Sequence, residues 1–227
     1  MIVLCYRRSD SKLVAFHCRR AVVTLPLGVL QGKHRLSRVT FHPPLSEVKR
    51  EAISALGMGA ENKVIMQFDL CRWPSSVAYL NCTDQRFRFI NLHRLGKRGV
   101  LVAHTSPPFS YELAKLSDAA VLAEVLAVLH KMFPHTMGAE AGYVQPKTYH
   151  VTRWHQYPFS MGSYSFLKIG SDTESVNALA RAEWGGRLRF AGEATSVAEQ
   201  QCVTGAFTTG VKAAQAVVAD LLGPLKQ

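Results

Sequence analysis

Lys63 heads an alternating run, Asn62 to Asp69 (NKVIMQFD), that follows a polar, glycine-containing loop. A lysine at a strand edge is ordinarily solvated; the same compact cation, when partly buried, can orient water or collect a proton, because its pKa responds readily to its surroundings. Trp154 and Tyr164 flank the loop HQYPFSMGS. Aromatic rings at such spacing either pack or present a π face to an ammonium group, an attraction of about 0.5–2 kcal/mol. Between Arg187 and Leu222 the chain reads as strand, Gly192-Glu193 corner, loop, then a helix from Val203 rich in Gly and Ala. A helix start exposes unpaired N–H groups and the positive end of the macrodipole, which suits an anionic or electron-rich ring edge, and small residues let a ligand lie close to the backbone. The competing reading is a strand and terminal helix closing an ordinary α/β domain.

Other chemistries find no support. The nine histidines form no H-E-x-x-H pair, no G-x-S-x-G elbow occurs, and the five cysteines, odd in number and without C-x-x-C spacing, suggest neither a zinc site nor a disulfide framework. No metal is expected, and the cysteine usage points to a reducing, intracellular compartment. No uninterrupted apolar run approaches the roughly 18–20 residues that span a bilayer, so no membrane partner is expected. The net charge of +11 leaves two readings, a solvated surface or a face for a polyanion such as nucleic acid in chromatin. The basic residues are scattered (Arg7, Arg8, Arg19, Arg20, Lys49, Arg50, Arg86, Arg88), without the aromatic interleaving of a dedicated nucleic-acid face.

The elements that must carry these groups follow from periodicity. Strands are expected at Met1 to Tyr6, Lys12 to Phe16 and Arg20 to Leu25, the last stopped by Pro26 and Gly28. Ser46 caps a helix to Leu56 with Val48, Ala52, Ala55 and Leu56 on one face. Further strands at 62–69, 76–80, 86–90, 99–105 and 148–154 imply a mixed sheet. A helix from Ser117 or Asp118 carries the core stripe Leu122, Val125, Leu126, Leu129 and Phe133 and ends at Pro134. The glycines of GMGAEN mimic a dinucleotide-binding turn, but they follow a helix and lead into a strand, the wrong order, and Asn62 stands where the third glycine belongs.

Five segments, VVTLPLGVL, NKV, VTRW, GSYSF and FAGEAT…VTGA, resemble the FAD-dependent amine oxidases, a superfamily of monoamine oxidases, polyamine oxidases and lysine-specific histone demethylases. The resemblance implies non-covalent FAD bordered by Thr24, Leu25 and Pro26. It implies Trp154 beside the isoalloxazine, Gly192 and Glu193 at the ribityl-pyrophosphate, and the Val203 N–H toward the flavin pyrimidine. Lys63 would hold a water against flavin N5, and Tyr164 would form one wall of the amine site. Ser163 stands where the monoamine oxidases bond flavin covalently, and Cys202 takes the place of their second cage tyrosine in the substrate pocket. The implied reaction is hydride transfer from a neutral amine to the flavin, giving an imine that water hydrolyses to aldehyde and amine, with oxygen reduced to hydrogen peroxide.

The implied fold is α/β, with an α+β substrate part: the C-terminal part of a two-domain FAD-binding fold, lacking the N-terminal Gly-rich βαβ unit, that N-terminal half being an expected partner. Residues 1–59 and 171–227 are assigned to the FAD-binding domain and 60–170 to the substrate-binding domain. The motifs look closest to the lysine-specific histone demethylases, so the first expected substrate is a methyl-lysine histone peptide, with a nuclear location. A polyamine, with a cytoplasmic location, is the alternative, and a non-catalytic truncated scaffold the competing class.

Overall fold

The computed structural model describes residues 1–7 and 9–223. Arg8 and positions 224–227, the end of the segment assigned above to the FAD-binding domain, lie outside the described residues. In chain order the elements are β1 (Ile2–Arg7), β2 (Lys12–His17), β3 (Ala21–Val23), α1 (Leu27–Leu30), α2 (Glu47–Ala55), β4 (Gly57–Met58), β5 (Asn62–Gln67) and β6 (Tyr79–Leu80). They continue with β7 (Arg88–Asn91), β8 (Val100–Thr105), α3 (Phe109–Leu113), α4 (Asp118–Met132), β9 (Thr148–Val151), β10 (Ser165–Phe166), α5 (Thr173–Ala180), β11 (Leu188–Phe190) and α6 (Val203–Leu222). They group into two compact units: an inner one, Gly59–Tyr157, and a flanking one made of Met1–Met58 with the described residues from Pro158 onward. Residues 158–170, assigned from sequence to the substrate part, count with the flanking unit, where β10 pairs with β4 through Ser165–Met58 and Phe166–Gly57.

The inner unit is one five-stranded sheet in the order β6-β7-β8-β5-β9 with α4 packed on it. Every pairing in it is antiparallel, where the strand pattern led to the expectation of a mixed sheet. The alternation of β5 sends Val64 and Met66 into the core and leaves Lys63 and Ile65 half-buried on the other face. The Ser117 hydroxyl caps α4 by accepting from Ala120 N–H at 3.2 Å, and Asp118 in the first turn and Lys131 in the last complement the helix dipole. The helix buries Val121, Leu122, Val125, Leu126, Val128 and Leu129 against Val64, Met66, Phe89 and Leu101. Each such side chain contributes about 1.5–3 kcal/mol through removal from water.

In the flanking unit β3 and β11 run parallel, Ala21 beside Leu188 and Val23 beside Phe190. Helices α2 and α5 pack on each other over a core that includes Leu27, Leu56, Val176, Leu179, Leu188 and Phe190. The buried face of α2 is Lys49, Ala52 and Ile53, with Leu56 just beyond, and Val48, expected inside, is 51% exposed. The reason lies in what Lys49 finds: its ammonium donates to Leu179 O and Arg181 O, both at 2.5 Å, at the C-terminal end of α5, and lies 4.1 Å from the Phe190 ring centroid. Carbonyls at a helix end and an aromatic face together satisfy a cation that periodicity alone would keep in water.

Candidate active site and flavin contacts

In the inner unit, β5 holds Lys63 at its first turn of the alternation, clamped by backbone bonds. Lys63 N–H donates to Thr152 Oγ1 at 2.8 Å, and Thr152 N–H donates to Lys63 O at 2.9 Å. Lys63 stands opposite His104, which stands opposite Arg88, so one row across the sheet carries Arg88, His104 and Lys63 on a single face. Glu61 on that face balances the row: its Oε2 is 2.9 Å from His104 Nε2, and its Oε1 accepts from Ser106 Oγ at 3.1 Å. Behind the row, buried Asn62 fixes the chain that leads to Trp154. Its Oδ1 accepts from Trp154 N–H at 2.9 Å, and its amide nitrogen lies 3.3 Å from His155 Nδ1. Burial pushes the His155 imidazole below its ordinary range, and the charge of Arg153 adds to the shift, so at neutral pH this ring is the uncharged neighbour of Asn62. Asn62 and Thr152 thus bring Lys63 and Trp154 together, with Trp154 40% exposed.

In the flanking unit the remaining candidates gather where parallel strands end, the end of an α/β sheet at which ligands bind. Thr24, Leu25 and Pro26 follow β3 and are exposed; Gly192 and Glu193 follow β11. Gly192 has φ 135°, a conformation that favours glycine, and no atom lies within 4 Å of where a side chain would begin. Its N–H donates to Thr209 Oγ1 of α6 at 3.0 Å, tying the corner to the helix. At the other end of that loop, Cys202 supplies no side-chain cap to α6, so the first-turn amides, beginning with Val203 N–H, have no capping side chain. Gly205 admits the loop against this first turn: a Cβ there would stand 2.1 Å from Glu199 O. Tyr164 is half-buried immediately before Ser165, whose backbone and hydroxyl both bond to Glu193. The structure therefore joins Thr24–Pro26 to Gly192 through the strand pair, and Tyr164 to Cys202 and Val203 through Glu193. Among the described residues no group of three or more His, Cys, Asp or Glu could hold a metal ion, and no helix is long and apolar enough to cross a membrane.

A glycine corner with bare backbone, uncapped helix amides and exposed residues at the carboxyl ends of parallel strands suit one edge of a flat, electron-rich ring. Residues 4–218 match the family model of the flavin-containing amine oxidoreductases. The chain belongs to this family. Among its relatives, polyamine oxidase 4 of Oryza sativa subsp. japonica is 36% identical over 198 residues, which is 85% of this chain and 38% of that protein. Lysine-specific histone demethylase 1B of Mus musculus is 32% identical over 209 residues, 88% of this chain and 24% of that protein. The chain thus spans well under half the length of the curated relatives it matches. Of solved structures, a putrescine oxidase superposes with a TM-score of 0.71 at 19% identity, covering 97% of this chain and 47% of that one. Cyclohexylamine oxidase from Brevibacterium oxydans IH-35A gives 0.69 at 19% identity, with 95% and 45% covered. These likenesses show the mixed strand-and-helix fold of amine oxidases.

The chain thus belongs to a family whose cofactor is FAD. Sequence reasoning singled out Lys63, Trp154, Tyr164 and Glu193 but not Asn62, Thr152, Ser165 or Gln201, the residues that hold them. Asn62 adjoins Lys63 in the motif and could have been read as a turn-holding amide. Ser165 and Gln201 carry no local signal, because their role exists only across a tertiary contact.

Proposed function

We propose that this chain supplies part of an FAD-dependent oxidase that breaks a substrate C–N bond, acting on an amine that carries further cationic groups. FAD, held without a covalent bond, supplies a hydride acceptor. Thr24 to Pro26, Gly192, Glu193, Trp154 and the Val203 N–H are assigned to the cofactor, Tyr164 and Cys202 to the amine. Lys63 is assigned to hold water and a proton near the reacting atoms. The observation that supports the reading best is the gathering of Gly192, Glu193 and the uncapped first turn of α6 at the carboxyl end of a parallel strand pair, in a chain of this family. A polyamine substrate is supported by relatives named polyamine oxidases at 33–36% identity. Methyl-lysine on a histone tail is supported by demethylase relatives at 31–32%. The first would place the protein in the cytoplasm and the second in the nucleus, where its net charge of +11 would favour chromatin.

The test is reconstitution with FAD of the chain alone and of the chain joined to the part of the rice polyamine oxidase 4 relative that lies outside the match. Anaerobic bleaching of the flavin band by spermine, or by a dimethyl-lysine histone peptide, with peroxide released on admitting oxygen, is the expected result. Which of the two amines bleaches the band chooses the substrate. A flavin-loaded fusion that neither amine reduces would sink the oxidase reading.

A further inference from the structure

The carboxylate of Glu193 is engaged by protein donors. Its Oε1 accepts from Ser165 N–H at 3.1 Å, and its Oε2 accepts from Ser165 Oγ at 2.7 Å and from Gln201 N–H at 2.8 Å. Gln200 Nε2 in turn donates to Ser165 Oγ at 3.0 Å, so the stretch before α6 reaches this serine directly as well as through Glu193. The root of the side chain is fixed as well: Thr195 Oγ1 donates to Gly192 O at 2.8 Å, and Gly192 N–H donates to Thr209 Oγ1. Two segments therefore meet at one carboxylate. Ser165 follows Tyr164 directly; Gln201 directly precedes Cys202 and Val203.

The segment before α6 is bent in a way its own sequence does not favour. Gln201 has φ 71°, a left-handed value that is costly for residues other than glycine and persists where surrounding contacts over-determine it. Charge-assisted bonds from a carboxylate to backbone N–H groups are the strong kind, and here one anion supplies a bond on each side. We propose that Glu193 is a positioning residue, a clasp that sets Tyr164 in register with Cys202 and Val203. Its carboxylate, engaged by these protein donors, acts on amine and flavin through those neighbours, in addition to the cofactor contact assigned to the Gly192-Glu193 corner. The proposal rests on the oxidase reading for what Tyr164 and Val203 do, and on the hydrogen bonds alone for the clasp.

Amide hydrogen exchange on the full chain, without cofactor, tests the clasp in Glu193→Gln, Ser165→Ala and the double variant. Glu193→Gln keeps the shape but turns one acceptor into a donor facing donors. Each single variant is expected to speed exchange at both 163–166 and 200–203, by about tenfold for loss of one net hydrogen bond, and the double variant no more than the faster single. Exchange at 200–203 unchanged in Ser165→Ala, or effects that multiply in the double variant, would overturn the proposal. Ser165→Ala decides alone should Glu193→Gln not fold. In the FAD-loaded fusion, both variants should raise KM for the amine by a similar factor. Loosened segments with KM unmoved would overturn the role in placing substrate. A wild-type protein that binds FAD and oxidises no amine fails the oxidase reading instead, whatever the exchange shows.

Discussion

Both units bury an apolar core, but the flanking unit also leaves a hairpin and a long helix with their apolar residues exposed. In the inner unit the sheet and α4 enclose Val64, Met66, Phe89, Leu101, Val125 and Leu129, all at 1% exposure or less. In the flanking unit the hairpin of β1 and β2 leaves Leu4 60%, Tyr6 74%, Leu13 56% and Phe16 55% exposed, although its six residue pairs are in register. Of the twenty residues of α6 only Gly205 and Ala213 are buried, while Val203, Phe207 and Leu222 are 87%, 70% and 72% exposed. Backbone pairing and helix formation thus proceed in both units, but the core of the flanking unit, built on Leu27, Leu56, Val176, Leu179, Leu188 and Phe190, leaves the hairpin and most of α6 outside it. The candidate cofactor residues lie mostly in the flanking unit, whereas Lys63 rides on the inner one. A rigid sheet suits the water- and proton-holding role proposed for Lys63, and exposed loops at strand ends suit the ligand contacts proposed for the flanking unit.

The sharpest way to break this contrast is to express Gly59–Tyr157 alone. It should fold cooperatively, with dispersed amide resonances and a single urea transition; a featureless spectrum would show that its core needs the flanking unit after all. Within that segment Leu129→Ala, at a site with no exposure, should cost about 2–5 kcal/mol in the urea midpoint analysis, through lost transfer energy and the cavity left behind. A cost below about 1 kcal/mol would mean that the core is not close-packed there.

Lys49 tests the small core of the flanking unit. Burial pushes its ammonium from 10.5 down to about 8, opposed by the attraction of Glu183 and reinforced by the charge of Arg181. Between about pH 8 and 10.5 the unfolded chain therefore holds the proton that the folded chain has released, so stability rises with pH across that window and is flat in this respect below it. The gain should reach on the order of 3 kcal/mol relative to Lys49→Met, read as the difference between the two unfolding curves at pH 7 and pH 10. A difference that does not change with pH would show that the two carbonyls and the Phe190 ring hold the cation without cost. The smallest effect is expected at Phe207→Ser, which should change stability by no more than about 0.5 kcal/mol while reducing binding of a hydrophobic dye. A loss of several kcal/mol would mean that α6 packs more than its exposure indicates.

Local periodicity made much of this architecture legible. The stripe from Leu122 to Leu129 announced α4, the alternation of NKVIMQFD announced β5, and Ser46 and Ser117 marked helix starts that their hydroxyls do cap. The pattern failed at α2, where Lys49 is inside and Val48 outside. A periodic reading sorts residues by polarity and cannot see that a neighbouring helix end offers carbonyls to a cation. It also implied a mixed sheet, because strand direction depends on how the connections return, which residue types do not encode.

What the sequence by itself determined is the family, matched over residues 4–218, and the local setting of the candidate groups: Lys63, Trp154, Tyr164, the Gly192-Glu193 corner and the start of α6. These are set by residue type and short-range order, which bond geometry and solvation translate directly into strands, caps and corners. Only the tertiary structure decided that β3 lies parallel to β11, that Asn62 and Thr152 tie Lys63 to the chain before Trp154, and that Glu193 bonds Ser165 and Gln201. Those choices depend on donors and acceptors far apart in the chain meeting within hydrogen-bond distance, and a hydrogen bond is short and directional while sequence separation carries no distance.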